Sequence, residues 1–208
     1  MRIDTKTMRA AAIEALEAAG LNPVRAKETG HELIWAVDWE GKRQSVCLIT
    51  AGRADDRWIG RNTPPADRPD YWNGLTNSDL AAIAAAAADG KSIEVHIIRS
   101  DDLIAKFEEA RAARLKAGYQ SNPGRPIFIA MDDGADRKEV DRAGGNIVAA
   151  AKLVATVGLD EHGVPVPTTP KPVAEQGIPG IIANARAKIA AQMGVPVERI
   201  NLTLEFAG

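Results

Sequence analysis

The residues of this chain that most nearly combine the right types and spacing for chemistry lie at 38–42, Asp-Trp-Glu-Gly-Lys. Glu40 and Lys42 form an acid, any residue, lysine triplet, an arrangement used in metal-assisted phosphodiester hydrolysis. That chemistry requires both side chains on one side of a strand, with a second acid on a neighbouring strand. Gly41 instead predicts a turn, and Asp38 precedes it on the same segment. The triplet therefore predicts a solvated turn, and we assign no catalytic residue.

A second candidate is a region in which basic and aromatic side chains are interleaved. All four tryptophans fall between positions 35 and 72, and residues 42–68 carry six basic side chains against three aspartates. Basic groups contact phosphates and aromatic rings stack on bases, so this composition predicts a nucleic-acid-binding loop, for DNA or RNA. The alternative is structural, with Trp35 in the core and with Trp58 and Trp72 holding the loop in place. The residues predicted to bind are Lys42, Arg43, Arg53, Arg57, Trp58 and Arg61.

The remaining polar residues predict no metal or cofactor site. The four aspartates between 132 and 141 follow a predicted strand, but their spacing fits no cation-binding loop, and we expect capping or solvation. Cys47 is the single cysteine and lies in an apolar run, which predicts a buried, inert thiol. His96 alternates with apolar residues and is expected to be half-exposed in a sheet.

Composition excludes several classes of protein. The 208 residues are 45% hydrophobic and 26% charged, with a net charge of −2, which is typical of a globular protein. Because neither half of the chain is strongly basic, binding to duplex DNA by bulk charge is disfavoured. No segment has the apolar length of a signal peptide core or a membrane span. We expect a soluble, cytoplasmic protein with no membrane partner.

Hydrophobic periodicity and turn residues predict alternating helices and strands in residues 1–119. Two apolar strands around the turn at 40–43 predict a hairpin. The predicted elements are a helix at 5–19, strands at 32–39, 44–50 and 58–61, a loop at 62–79, a strand at 93–98 and a helix at 101–117.

A second domain is predicted after a linker at 120–126, which contains two prolines and a glycine. Residues 127–208 are expected to form a small α/β unit, with a proline-rich strap across its surface at 160–179. Its predicted elements are a strand at 127–131, a helix at 146–156, a helix at 181–193 and a strand at 200–206.

Residues 5–118 resemble the PD-(D/E)XK nuclease superfamily, and most closely its small bacterial and intron-type members. In those members the second hairpin strand ends in an acid or glutamine, any residue, lysine and threonine, where this chain has Ser45-Val46-Cys47-Leu48-Ile49-Thr50-Ala51. Glu32 matches their second acid. The strand at 93–100 and the Asp101-Asp102-Leu103 helix start also match. The resemblance implies a restriction-endonuclease-like fold, in the α/β or α+β class.

The catalytic positions of that family are lost in this chain. Cys47 stands where a metal-binding carboxylate or amide is expected, and Ile49 replaces the lysine. With only one acid left, a two-ligand magnesium site is not assembled. The resemblance therefore implies a scaffold that no longer cleaves.

Residues 80–88 admit two structures. Alanine is the best helix former, so propensity alone favours a helix. The Asp89-Gly90-Lys91 turn followed by the strand at 93–98 favours a second hairpin instead. We predict the hairpin, because the family resemblance prefers it.

Three functions follow from these observations. The first is a non-catalytic protein that binds nucleic acid through the basic and aromatic loop. The second is a structural or regulatory interaction module, a homo-oligomer, for which alanine-rich surfaces at 81–88 and 183–191 would provide contacts. The third is an active metal-dependent nuclease that uses Glu32, Asp38 and Glu40.

Overall fold

The computed structural model describes residues 3–26, 34–52, 57–120, 122–133, 143–160 and 164–166. Contacts along the chain divide it into two units, Met1–Thr168 and Thr169–Gly208. All of the described residues belong to the first unit. The helix predicted at 181–193, the strand predicted at 200–206 and most of the proline-rich strap lie outside the described residues.

The described residues form three helices and eight strands, so the fold is mixed α+β, as the sequence predicts. The predicted helices at 5–19 and 101–117 and the predicted strands up to residue 131 are confirmed, with small changes at their ends. The elements are α1 (Thr5–Ala18), β1 (Val24–Arg25), β2 (Ile34–Trp39), β3 (Lys42–Ala51), β4 (Trp58–Asn62), β5 (Leu80–Ala86), β6 (Ser92–Arg99), α2 (Ser100–Lys116), β7 (Pro126–Ala130), α3 (Ile147–Ala150) and β8 (Lys152–Gly158).

Over these residues the strands form two sheets. The larger has six strands in the order β1-β2-β3-β5-β6-β8, and its neighbours are antiparallel except for the parallel pair β3–β5. The smaller sheet pairs β4 with β7 in antiparallel fashion. The predicted strand at 58–61 therefore exists, but it lies outside the main sheet.

The main sheet is covered on both faces. On one face, α1 packs Met8 and Leu16 against Val37, Val46 and neighbouring apolar residues; we call this the α1 face. On the other face, α2 and the β4–β7 sheet cover residues such as Cys47, Ile49 and Ile83; we call this the α2 face. Trp72 is fully buried on the α2 face and stacks on Phe107, with ring centroids 5.1 Å apart. The structural alternative is thus confirmed for Trp72.

The alanine-rich segment is the central strand of this arrangement. Residues Leu80–Ala86 form β5, which pairs with β3 on one side and β6 on the other, so the predicted hairpin is confirmed. The segment forms a strand despite the helix propensity of alanine, because every residue of β5 is fully buried between two layers. The small side chains allow both layers to approach the strand. Residues 81–87 are therefore core, and they do not offer the surface that the homo-oligomer hypothesis required. Residues 183–191 lie outside the described part.

The first hairpin has a two-residue turn. Glu40 and Gly41 both have positive φ, 51° and 75°, as the twist of a tight hairpin requires. This turn sets the register in which Ile34 pairs with Cys47 and Asp38 pairs with Arg43. The register decides which side chains of β3 face each layer.

Strands on the two sides of the predicted linker at 120–126 pair with one another. β7 pairs with β4, and β8 pairs with β6, so the described residues on both sides share the same sheets. The predicted helix at 146–156 is wrong in most of its length, since only Ile147–Ala150 is helical and Lys152–Gly158 is strand β8. The β-branched residues in this segment favour extended structure, and the edge of β6 offers a pairing partner.

Asp79 precedes β5 and is hydrogen-bonded to Ser45 in β3. We expect it to make the stability of the fold sensitive to acid. Its Oδ2 accepts hydrogen bonds from Ser45 Oγ (2.7 Å) and Ser45 N (2.8 Å), which hold the pKa of Asp79 below its ordinary value. Because the pKa of Asp79 is lower in the folded than in the unfolded protein, its ionised form stabilises the fold. This stabilisation is fully present at pH values above the unfolded-state pKa and is lost as the pH falls through the folded-state pKa. We expect Asp79→Asn to flatten the loss of stability between about pH 5 and pH 3, measured by urea unfolding. An unchanged acid slope in the variant would contradict this.

Candidate functional site

Cys47 and Ile49, the two positions that the predicted resemblance aligned with catalytic residues, lie in the core. Cys47 and Ile49 both point into the α2 face of the main sheet and are almost completely buried. Arg61, which is half-buried, donates from Nη2 to the Cys47 Sγ at 3.4 Å. These positions therefore contribute packing, and neither offers a ligand to a metal ion.

The acids of the nuclease hypothesis do not converge. Asp38 accepts hydrogen bonds from Asn22 Nδ2 (2.8 Å) and Arg43 Nη1 (2.9 Å), which lower the pKa of Asp38. Glu40 is exposed in the turn. Glu32 lies outside the described residues, and among those described no three His, Cys, Asp or Glu side chains are arranged to hold a metal ion.

Arg57, predicted to bind nucleic acid, is instead the centre of a buried ion cluster. Its exposed fraction is 7%, its Nη1 donates to Asp132 Oδ1 at 3.1 Å, and its Nη2 pairs with Glu94 Oε2. His96 Nε2 lies 3.2 Å from the same Glu94 oxygen. We call Arg57, Glu94, His96 and Asp132 the ion cluster. The ion cluster connects Arg57, which precedes β4, to Glu94 in β6 and to Asp132 after β7. The Arg57 side chain is therefore engaged with other residues of the protein.

His96 is buried, not half-exposed as predicted. Its exposed fraction is 2%. Glu94 and His96 are two residues apart in a strand, and so share one face. An acid and a histidine on the same side of an otherwise apolar strand was the available signal for the cluster.

The other predicted binding residues do not form one surface. Arg61 is half-buried over Cys47, and Arg43 is engaged with Asp38 and with the carbonyl oxygen of Asn22. Lys42 is exposed at the start of β3, five residues from Cys47, or about 16 Å along the strand. Arg53 lies outside the described residues. Of the predicted set, Trp58 lies near a second aromatic side chain on the face of a sheet.

Trp58 lies on the outer face of the β4–β7 sheet together with Phe128. Ile59, Ile127 and Ile129 point inward and are buried, so the alternate residues point outward. Gly60 pairs with Phe128, and a side chain at Gly60 would collide with the Phe128 ring at 2.6 Å, so the ring lies across this glycine. Phe128 is nevertheless 46% exposed.

Trp58 and Phe128 are diagonal neighbours. Trp58 pairs directly with Ala130, two residues from Phe128, which places the two aromatic residues about 7 Å apart on one face. Trp58 is half-buried. We call this pair the aromatic platform.

A basic pocket adjoins the platform. It has a volume of about 200 Å³ and lies between the last turns of α2 and the segment leading into β7. No acidic side chain is among its described lining residues. The pocket, which we call the arginine pocket, is lined by Thr63, Arg111, Arg114, Tyr119, Gln120, Asn122, Arg125, Pro126 and Ile127.

The arginines of the pocket differ in how far they are neutralised. Arg111 Nη1 lies 3.4 Å from both carboxylate oxygens of Glu108, and Glu108 also accepts from Trp72 Nε1 at 2.8 Å. Arg114 Nη2 donates to the Phe128 carbonyl oxygen at 3.3 Å, which joins the pocket to the platform. The Arg125 guanidinium has no partner among the described residues. The pocket is therefore electropositive.

The loop that carries Arg125 is fixed by hydrogen bonds to Thr63. Thr63 N donates to the Arg125 carbonyl oxygen (2.8 Å), and Thr63 Oγ1 donates to the Asn122 carbonyl oxygen (2.7 Å). Gly124 N returns a bond to the Thr63 carbonyl oxygen at 3.1 Å. These hydrogen bonds fix the backbone position of Arg125.

No family model, curated protein or solved structure matches this chain. Among the described residues, none of the helices combines the length and the apolar character that crossing a bilayer requires.

Proposed function

We propose that this protein binds single-stranded nucleic acid without cleaving it, through the aromatic platform and the arginine pocket. The observation that carries the proposal is the exposed ring of Phe128, which lies beside Trp58 on one face and is joined to the pocket through Arg114. The exposed ring offers a face on which an unpaired base could stack.

The two parts match the two chemical features of a single strand. Unpaired bases stack on aromatic rings, and each such contact is worth about 1–3 kcal/mol. Arginine guanidiniums bind phosphate oxygens with paired hydrogen bonds. A strand that stacks one base on Phe128 would therefore bring its phosphate towards Arg114 and Arg125.

The absence of cleavage is part of the proposal. Burial of Cys47 and Ile49 and the engagement of Asp38 with Arg43 support it, because these groups are unable to bind a catalytic metal. The scaffold we propose is a degenerate restriction-endonuclease-like one. In its support, a mixed sheet with a hairpin next to a parallel pair is covered by helices on both faces.

Fluorescence anisotropy with labelled single-stranded and duplex oligonucleotides tests the proposal. We expect binding of the single strand below about 10 μM at low salt, weaker binding to duplex, and a loss in affinity on raising the salt. Phe128→Ala should weaken single-strand binding by about 1–3 kcal/mol, the value of one stacking contact.

Lys42→Gln is the matched control, since Lys42 is exposed and basic but lies on the hairpin. It should retain the affinity of the parent protein within about 0.5 kcal/mol. If Lys42→Gln and Phe128→Ala weaken binding equally, the hairpin and not the platform is the interface. If the parent protein binds no oligonucleotide, the proposed function is wrong.

A further inference from the structure

We propose that the arginine pocket binds a terminal phosphomonoester, so that the protein recognises the phosphorylated end of a strand. This inference rests on the proposed function and adds to it the part of the nucleic acid that is recognised.

The size of the pocket favours a small ligand. Sites for drug-sized ligands have volumes of roughly 300–1,000 Å³, whereas this pocket has about 200 Å³. A phosphate group with part of its sugar is of the smaller class. A whole nucleotide would extend from the pocket towards Phe128.

The charge of the pocket exceeds what one phosphodiester neutralises. Three guanidiniums line it, and Glu108 offsets the charge of Arg111, which leaves Arg114 and Arg125. An internal phosphodiester carries a single negative charge, whereas a phosphomonoester carries about −1.5 to −2 and has three acceptor oxygens. The terminal group therefore matches the two remaining cations.

Donors in the pocket remain available for those oxygens. The Arg125 guanidinium is exposed and has no hydrogen-bond partner among the described residues, and Tyr119, 58% exposed at the rim, adds a hydroxyl group. Hydrogen bonds from a guanidinium to phosphate oxygens are charge-assisted and stronger than neutral ones.

The backbone course of β7 places the pocket and the platform next to each other. Pro126 borders the pocket, and Phe128 is the next residue on the same face of β7. A phosphate held by Arg125 would thus lie near the ring on which the first base would stack. The loop at 122–125 is fixed to Thr63 by hydrogen bonds.

Anisotropy with three internally labelled single strands of one sequence tests this, carrying a 5′ phosphate, a 3′ phosphate or no terminal phosphate. We expect one phosphorylated end to bind about tenfold more tightly than the unphosphorylated strand, as new charge-assisted hydrogen bonds would give. Arg125→Gln should abolish this preference, so that the three strands bind the variant equally, while Lys42→Gln preserves the preference.

The outcomes separate the two proposals. Equal affinity for all three strands overturns the terminal-phosphate proposal and leaves the proposed function intact. If no strand binds, the proposed function fails, and titration with a nucleoside monophosphate then decides about the pocket: binding lost in Arg125→Gln supports it, and no binding overturns it. Tighter binding to a phosphoserine peptide than to any strand would also overturn recognition of a nucleic-acid end.

Discussion

Arg57→Ala is expected to lower the free energy of unfolding by about 3 kcal/mol, the lower end of the range for breaking a buried ion pair. The side chain of Arg57 is buried, and its removal leaves Glu94 and His96 on the α2 face without their cation. The lower end applies because the Asp132 side chain is 47% exposed and can be hydrated. Urea unfolding monitored by tryptophan fluorescence gives the value.

Two matched variants separate burial from charge. Arg43→Ala removes an exposed arginine with a comparable ion pair, to Asp38, and should cost about 0–1 kcal/mol. Arg57→Met combined with Glu94→Leu replaces part of the ion cluster by apolar groups and should recover much of the loss, since a buried pair is often replaceable in this way.

The result also bears on the sequence prediction that Arg57 binds nucleic acid. If Arg57→Ala is as stable as Arg43→Ala but binds oligonucleotides more weakly, then Arg57 acts at the surface and the ion cluster does not stabilise the fold. We expect the reverse, with a large loss of stability and, in the folded fraction, little change in affinity.

Gly144→Ala is expected to cost about 4 kcal/mol or more, which is exceptional for a single methyl group. A Cβ at this position would lie 1.9 Å from the carbonyl oxygen of Lys106 in α2, and the backbone φ is +71°. To avoid the collision, either the Lys106 carbonyl or the backbone at Gly144 would have to move. Such a movement would disturb neighbouring contacts, including the hydrogen bond from Lys106 Nζ to the Gly145 carbonyl oxygen.

Gly118→Ala provides the control for backbone conformation alone. Gly118 has φ +85°, and a Cβ there would meet no atom within 4 Å. The left-handed conformation by itself should cost about 1–2 kcal/mol. The difference between the two variants in thermal or urea unfolding measures the collision, and equal losses would show that the segment at 143–150 yields to α2.

Local patterns predicted much of the fold. Apolar periodicity indicated α1, α2 and the strands β2, β3 and β6, because one buried stripe or alternate face is enough to specify each element. The turn at Glu40-Gly41 specified the hairpin and its register through backbone conformation. The segment 152–158 was misassigned, since its partner, the edge of β6, is more than 50 residues away and contributes nothing to local propensity.

The candidate site was less predictable, because it depends on pairing over long separations. Arg57 looked like a surface residue in a basic loop, and the ion cluster that buries it brings in Glu94 and Asp132. Phe128 lies beside Trp58 only because β4 pairs with β7, with 67 residues between Gly60 and its partner Phe128. For the arginine pocket the sole local hint was the spacing of Arg111 and Arg114, neighbours on one helix face.

By itself the sequence determined the types of the main elements and the turn between β2 and β3, and it placed apolar residues, Cys47 and Ile49, on β3. These depend on side-chain chemistry and short-range spacing. Only the tertiary structure decided which arginines are buried and which remain at the surface, because burial depends on the layer that covers each strand. Because Arg57 is buried, the proposed interface consists of Phe128, Arg114 and Arg125 and not of the loop around Arg57.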